Sequence, residues 1–258
     1  MDNLNKLLKL LRNNQGRGVK AEAKVDGDEA TIWLYGVIGY DWLSDSGIVA
    51  VDFVKELADL NVKTIHLRIN SPGGSPFDAQ AMKVALEQHP AQVISYIDSL
   101  AASAASIVAL AGDEIEIAEG GFFMIHKAMG LAIGNSDDMT DMAERLEKVD
   151  GVLAADYQKK SGQKKAQIEE WMKAETWFTA QEALDAGFAD KIFEGKEAEN
   201  RFDLSVFENA PEMLQSEKAS VEKTEASELA AKEESDEDLN DATRDKRERK
   251  LAFVKRGI

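Results

Sequence analysis

Three stretches of this sequence carry residue types suited to acyl-transfer chemistry. The first is Asn70-Ser71-Pro72-Gly73-Gly74, lying between an apolar strand-like run and a helical one. Two consecutive glycines admit positive φ and leave backbone N–H groups uncovered. Backed by a helix N-terminus, such groups hold an anion or a developing oxyanion. A phosphate loop is the rival reading, but its spacing and its lysine are missing. The plain alternative is a tight strand-to-helix turn. The second stretch is Ser99-Leu100-Ala101-Ala102-Ser103-Ala104-Ala105-Ser106. A serine among alanines, at the entry of a helix, lets a peptide carbonyl approach its Oγ, with the Ala104 N–H beside that oxygen. Three serines compete for the role, and close helix packing is the competing explanation for the whole run. The third stretch is defined by scarcity, because the chain has only His66, His89 and His126. His66 falls mid-strand and His89 precedes Pro90 at a helix end, both structural settings. His126 emerges from the apolar run Phe122-Phe123-Met124-Ile125, where a general base is held rigid; a satisfied edge histidine is the alternative.

The elements that must position these residues alternate between strand and helix. Strands are expected at 31–37, 64–70, 93–97, 114–118, 122–125 and 190–193. Helices are expected at 46–59, 77–88, 100–110, 136–161 and 179–186. This alternation indicates an α/β fold with crossover connections. Within 136–161, Met139, Met142, Leu146, Val149 and Leu153 recur every three or four residues and form one apolar stripe, which core packing would ordinarily explain.

Composition bounds the rest. The 258 residues allow one sizeable domain plus appendages. We divide the chain into a lead-in helix or arm at 1–20, a folded domain at 21–204 and a charged tail at 205–258. In the tail, 216–249 is dominated by Glu, Asp, Lys, Ala and Ser, and reads as disordered or weakly helical; 251–258 ends in an apolar-basic peptide. The net charge of −17 disfavours nucleic acid and anionic membrane as partners. The absence of cysteine excludes disulfides, thiolate chemistry and cysteine-ligated zinc. The apolar stretch 100–111 is too short to span a bilayer, and 1–12 is too short and charged for a signal peptide.

Asn70-Ser71-Pro72-Gly73-Gly74, Ala101-Ala102-Ser103 and Met124-Ile125-His126 resemble, in order and near-spacing, the proteolytic subunits of Clp proteases. The likeness continues through Ser161-Gly162-Gln163 and Thr179-Ala180-Gln181-Glu182-Ala183, then Gly187-Phe188-Ala189-Asp190-Lys191-Ile192. It covers roughly 21–193 and implies the ClpP/crotonase-like fold, a spiral of β-β-α units. Carried over by position, it implies Ser103 as nucleophile, His126 as general base, Gly74 and Ala104 as oxyanion-hole donors, and Gly73 as the residue shaping that turn. Ser106 does not match. Alignment on Thr179 puts Glu175 where the family has its third acid, usually Asp; Asp150 and Asp156 are the substitutes. The implied reaction is peptide hydrolysis through an acyl-enzyme, without metal or cofactor.

Two settings fit this resemblance. One is a housekeeping subunit fed by an AAA+ unfoldase. The other, which we prefer, is a phage or prophage enzyme processing capsid or scaffold during head maturation. Glu175-Thr176-Trp177-Phe178-Thr179 and the acidic tail resemble the phage variants. Either implies a protein substrate, a homo-oligomeric ring with 136–161 at the ring-to-ring contact, and a cytoplasmic or prohead location. A Ser-Lys enzyme using Lys127 and a crotonase-like acyl-CoA enzyme are the rivals on related folds.

Overall fold

Burial alternates along the sequence in step with strand pairing. The computed structural model describes residues 22–40, 47–195, 202 and 204–215; the lead-in at 1–20, and the tail segments 216–249 and 251–258, lie outside the described residues. Strand β1 (Glu22–Asp26) pairs antiparallel with β2 (Glu29–Tyr35). Parallel pairing then carries the sheet through β3 (Thr64–Ser71), β4 (Gln92–Ala102), β5 (Glu114–Ala118) and β8 (Lys191–Phe193). In β2, Ala30, Ile32 and Leu34 face the core; in β3, Ile65, Leu67 and Ile69 do so. Period-two alternation of this kind is what a strand with one covered face requires.

The feature that builds the site is a fork in β4. Its first half, Ile94 to Ile97, pairs with β5. Its second half, Leu100 to Ala102, leaves that partner and pairs parallel with β6 (Phe122–Ile125). Strand β6 pairs antiparallel on its other side with β7 (Thr176–Thr179). The ends of β4 and β6 therefore lie side by side, and the residue after each strand emerges at the same edge.

Helices cover the crossovers. These are α1 (Ala50–Ala58), α2 (Pro76–Gln88), α3 (Ala104–Ala109), α4 (Ser136–Ser161), α5 (Lys165–Lys173) and α6 (Ala180–Ala186). A short helix, α7 (Glu212–Gln215), closes the described chain. Helix α2 starts where Ser75 accepts from the Asp78 N–H, with Pro76 at its first position. Helix α4 starts from a capping box of Asn135 and Asp138. In α4 only Leu153, Ala154 and Tyr157 are buried. The first half of its apolar stripe instead faces the segment 127–134, where the Gly130 backbone meets Leu146 and Met142. Core packing within one chain thus explains only the C-terminal end of that stripe.

The α/β class agrees with expectation, β1, α5 and β7 are elements that the sequence reading did not expect, and three expected details differ. The helix expected at 100–110 is strand through Ala102 and helix only from Ala104, because Leu100 to Ala102 pair with β6. The helix expected from 46 begins at Ala50, since Ile48 is held in a parallel bridge to Ile38. The packed body also runs past 204, where the composition change suggested it would stop. Phe202, Leu204, Val206, Phe207 and Ala210 are buried in a second apolar cluster with Leu100, Ala102, Phe122 and Met124. Five apolar side chains among polar ones suffice to hold a segment down when a sheet face lies ready to receive them.

Candidate active site

Ser103 stands between β4 and α3 with φ 54° and ψ −125°. A side chain in this region costs on the order of 1–3 kcal/mol and persists only where surrounding structure over-determines it. Here its N–H donates to the Met124 carbonyl at 3.0 Å, extending the β4–β6 ladder by one residue. Its carbonyl accepts from the Ser106 N–H at 3.0 Å and from Ser106 Oγ at 2.5 Å. Ser106 Oγ is also hydrogen-bonded at 2.7 Å to the hydroxyl of Tyr157, a fully buried residue of α4. Of the competing serines, Ser106 thus lies beneath the turn as part of its support and Ser99 is buried within β4. The Ser103 side chain faces the cavity.

His126 follows β6. Its Nε2 lies 2.7 Å from Ser103 Oγ. The ring is 8 % exposed, and burial pushes its pKa down to about 4, opposed by the negative charge of Asp150. Charging a desolvated imidazole is unfavourable, so the ring is neutral at neutral pH, the state that accepts a hydroxyl proton. Phe207 and the imidazole pack in a T-shaped arrangement, with centroids 5.5 Å apart and planes at 84°.

The double glycine turn reaches the same place. A Cβ on Gly73 would sit 2.6 Å from the Ala102 carbonyl oxygen, 2.7 Å from Ser103 Cβ and 2.9 Å from the Ala104 nitrogen. At φ 94°, this position admits glycine on both steric and conformational grounds. Gly74, at φ 143°, is pinned by Ile38: the Ile38 N–H donates to the Gly73 carbonyl at 2.8 Å, and the Ser75 N–H to the Ile38 carbonyl at 2.9 Å. A Cβ there would stand 2.1 Å from the Ile38 oxygen. The turn therefore lies directly against the start of α3, as two amide donors serving one oxyanion would require. Gly74, Ser103, Ala104 and His126 all line one cavity of about 300 Å³, together with Ile107, Met129, Leu153 and Phe207.

The structure gives Glu175 a different task from the one the alignment suggested. Its carboxylate accepts from the Asn209 N–H at 2.7 Å, the Glu208 N–H at 3.1 Å and Trp177 Nε1 at 3.3 Å. Among the described residues no carboxylate is hydrogen-bonded to the His126 ring. The negative charge of Asp150 opposes the downward shift of the ring's pKa without a hydrogen bond to it. Asp150 accepts from the Ala128 N–H at 2.7 Å and pairs with Lys127 at 3.4 Å. The other substitute, Asp156, accepts from Gln80 and from Lys83, the latter at 3.2 Å. Lys127 turns its amine to Asp150 and not to Ser103, which speaks against a Ser-Lys pair. His66 meets Glu29 at 3.2 Å, and His89 caps α2 with its ring 3.2 Å from the Leu60 carbonyl, the structural settings expected of them.

The family model for Clp protease matches residues 45–196. The chain belongs to the Clp protease family, a family of serine peptidases. An ATP-dependent Clp protease proteolytic subunit from Streptococcus agalactiae is 32 % identical over 138 residues, 52 % of this chain and 70 % of that protein. One from Streptococcus pneumoniae is 30 % identical over 157 residues, 59 % of this chain and 79 % of that one. A solved ClpP1 mutant from Listeria monocytogenes shares the fold with a TM-score of 0.56 at 19 % identity, covering 74 % of this chain and 96 % of its own. Within this Clp protease chain, the segment 202–215 lies beyond the family match, although Phe207 reaches the cavity. Sequence reasoning missed Phe207 because its neighbours are polar. It also passed over Tyr157, whose hydroxyl became informative only once Ser106 lay beneath it.

Proposed function

We propose that the chain is a serine endopeptidase that cleaves peptide bonds through an acyl-enzyme. The observation that carries this reading is the 2.7 Å approach of His126 Nε2 to Ser103 Oγ, with the imidazole neutral. Ser103 Oγ attacks the peptide carbonyl as His126 takes its proton. The Gly74 and Ala104 N–H groups receive the oxyanion, a contribution typically of about 2.7–4 kcal/mol per donor. His126 returns the proton to the leaving amine, and water, activated by the same imidazole, releases the acyl group. Asp150 supplies the negative charge that favours the transient imidazolium. A crotonase-like acyl-CoA reading leaves the Ser103–His126 contact without a purpose.

The deciding experiment is mass spectrometry of the full chain after fluorophosphonate treatment, with Ser103→Ala alongside. One adduct on Ser103, absent from the variant, is the expected result; an unlabelled parent chain, or an adduct elsewhere, overturns the reading.

For the setting, we favour processing of capsid or scaffold protein in phage head maturation. The support is the Glu175–Thr179 motif, the acidic tail and a packed segment outside the family match. The substrate would then be met in the host cytoplasm or inside the prohead. Cleavage of unfolded casein without ATP or a partner is expected; strict dependence on an AAA+ unfoldase would favour the housekeeping alternative. Assembly into a ring belongs to the same reading. Met129, Leu131, Ile133 and Met139 are exposed around the N-terminal half of α4, an apolar surface a second copy would cover. Light scattering at micromolar concentration should give an oligomer.

A further inference from the structure

Beyond the Ser103–His126 pair, the described residues contain one other non-glycine residue at positive φ, Glu175 at φ 49°. Such a conformation in an ordinary turn would favour glycine or asparagine. At Glu175 the side chain explains it, for the turn aims the carboxylate at the backbone of 208–209. Asn209 answers from the other side, its side-chain amide donating to the Ala174 carbonyl at 2.9 Å. The latch is therefore made in both directions. What it fastens is an apolar segment. Leu204, Val206, Phe207 and Ala210 lie over Leu100 and Ala102 of β4 and over Phe122 and Met124 of β6. These are the residues leading directly into Ser103 and His126. Phe207 also packs edge-on against Trp177, at 5.6 Å and 78°, which sets the ring's tilt where it meets the imidazole.

We propose that residues 204–215 form a strap, latched by Glu175, that completes the catalytic cavity and holds Phe207 against His126 as a positioning residue. This rests on the peptidase reading for its purpose, but not for its test. Phe207 keeps water from one side of the imidazole and walls the cavity that Ser103 lines. Glu175 acts on the base through the strap, not by bonding to it. The charge acting on the ring among the described residues is that of Asp150, itself paired with Lys127. Ser103 meets the ring through its Oγ and the strap meets it with Phe207, while Ala104 and Ile107 of α3 line the same cavity.

Proton NMR titration of His126 in the full chain tests the strap, with His66 and His89 as internal controls. A latch and an acid partner predict opposite signs. Were Glu175 an acid partner, Glu175→Ala would remove a favourable charge and lower the His126 midpoint. As a latch, Glu175→Ala admits water and raises it. We expect Phe207→Ala and Glu175→Ala each to raise the midpoint by about one unit or more toward the ordinary histidine value, with His66 and His89 unmoved. The double variant should go no further than the larger single change. Phe207→Leu should hold the parent midpoint. Asn209→Pro, which deletes the donor N–H without touching a charge, should repeat the Glu175→Ala shift and serves if Phe207→Ala does not fold. A midpoint moved by less than about half a unit in Phe207→Ala, or lowered in Glu175→Ala, overturns the strap. Fluorophosphonate labelling of the parent chain separates the two failures. A labelled Ser103 with an unmoved midpoint sinks the strap alone; an unlabelled Ser103 with a raised midpoint sinks the peptidase reading and leaves the strap's hold on His126 standing.

Discussion

Ser103 and Glu175 share an unusual backbone, both non-glycine and both at positive φ, yet they use it for different ends. At Ser103 the backbone is held by others: the Met124 carbonyl, Ser106 and, behind it, Tyr157. Its own side chain is left facing a cavity, with a neutral imidazole at 2.7 Å. At Glu175 the side chain itself does the holding, accepting two backbone N–H groups from 208–209. One turn is held by its neighbours and leaves its hydroxyl to the cavity and the imidazole; the other offsets strain with a carboxylate committed to backbone amides. A strained residue whose own side chain does not relieve the strain is the better candidate for a functional site.

Several measurements would break or sharpen that contrast. The largest effect is expected at the hydroxyl and the imidazole it meets. Ser103→Ala or His126→Ala should lower peptide hydrolysis by at least about a thousandfold with the fold intact, read from kcat/KM on a fluorogenic peptide beside circular dichroism. Next comes the glycine packed on the same turn. Gly73→Ala must push aside the Ala102 carbonyl and the Ser103 side chain, and we expect at least about a hundredfold loss in kcat, since a misplaced nucleophile is costly even at small displacement. Comparable kcat in Gly73→Ala and the parent would count against this turn's part in the site.

Third is a pH effect. The folded-state pKa of His126 is held down at about 4, below the unfolded value of about 6.5. Between these values the unfolded chain binds the extra proton, so stability is fully present above about 6.5 and falls as pH drops toward 4. The loss from this group is on the order of 3 kcal/mol. Urea melts from pH 7 to pH 4 should show it, and His126→Phe should lessen it. The fourth compares the two strained turns directly. Ser103→Gly relieves the backbone and should stabilise by about 1 kcal/mol while abolishing activity. Glu175→Gly relieves the backbone equally but surrenders the latch, and should destabilise by about 1–2 kcal/mol. The same sign at both positions would dissolve the contrast. Smallest is Tyr157→Phe, which removes one buried hydrogen bond behind Ser106 and should cost about 1 kcal/mol in thermal or urea melts.

Much of this was legible in the sequence, for identifiable reasons. Alternating Ile and Leu in 64–70 revealed β3 because burial on one sheet face imposes a period of two. The short supply of histidine left three candidates for the base, and the resemblance to Clp proteolytic subunits singled out His126 among them and Ser103 among the serines. The Leu100–Ala102 segment misled because small apolar residues suit helix and buried strand alike. The strap was missed because its apolar residues are scattered among Glu, Ser and Asn, and a composition window averages them away.

The order of the motifs, the period of each element and the residue types at Ser103, His126, Gly73 and Gly74 belong to the chain as written, since they depend on neighbours a few positions apart. Tertiary structure decided which acid meets which group. Glu175 and Asp150 carry the same charge and are each compatible with a histidine partner. The strap over β6 gives Glu175 to a pair of backbone amides, while Asp150 accepts from the Ala128 N–H and pairs with Lys127. A carboxylate's task depends on what the fold brings within a few ångströms of it, and spacing along the chain does not contain that distance.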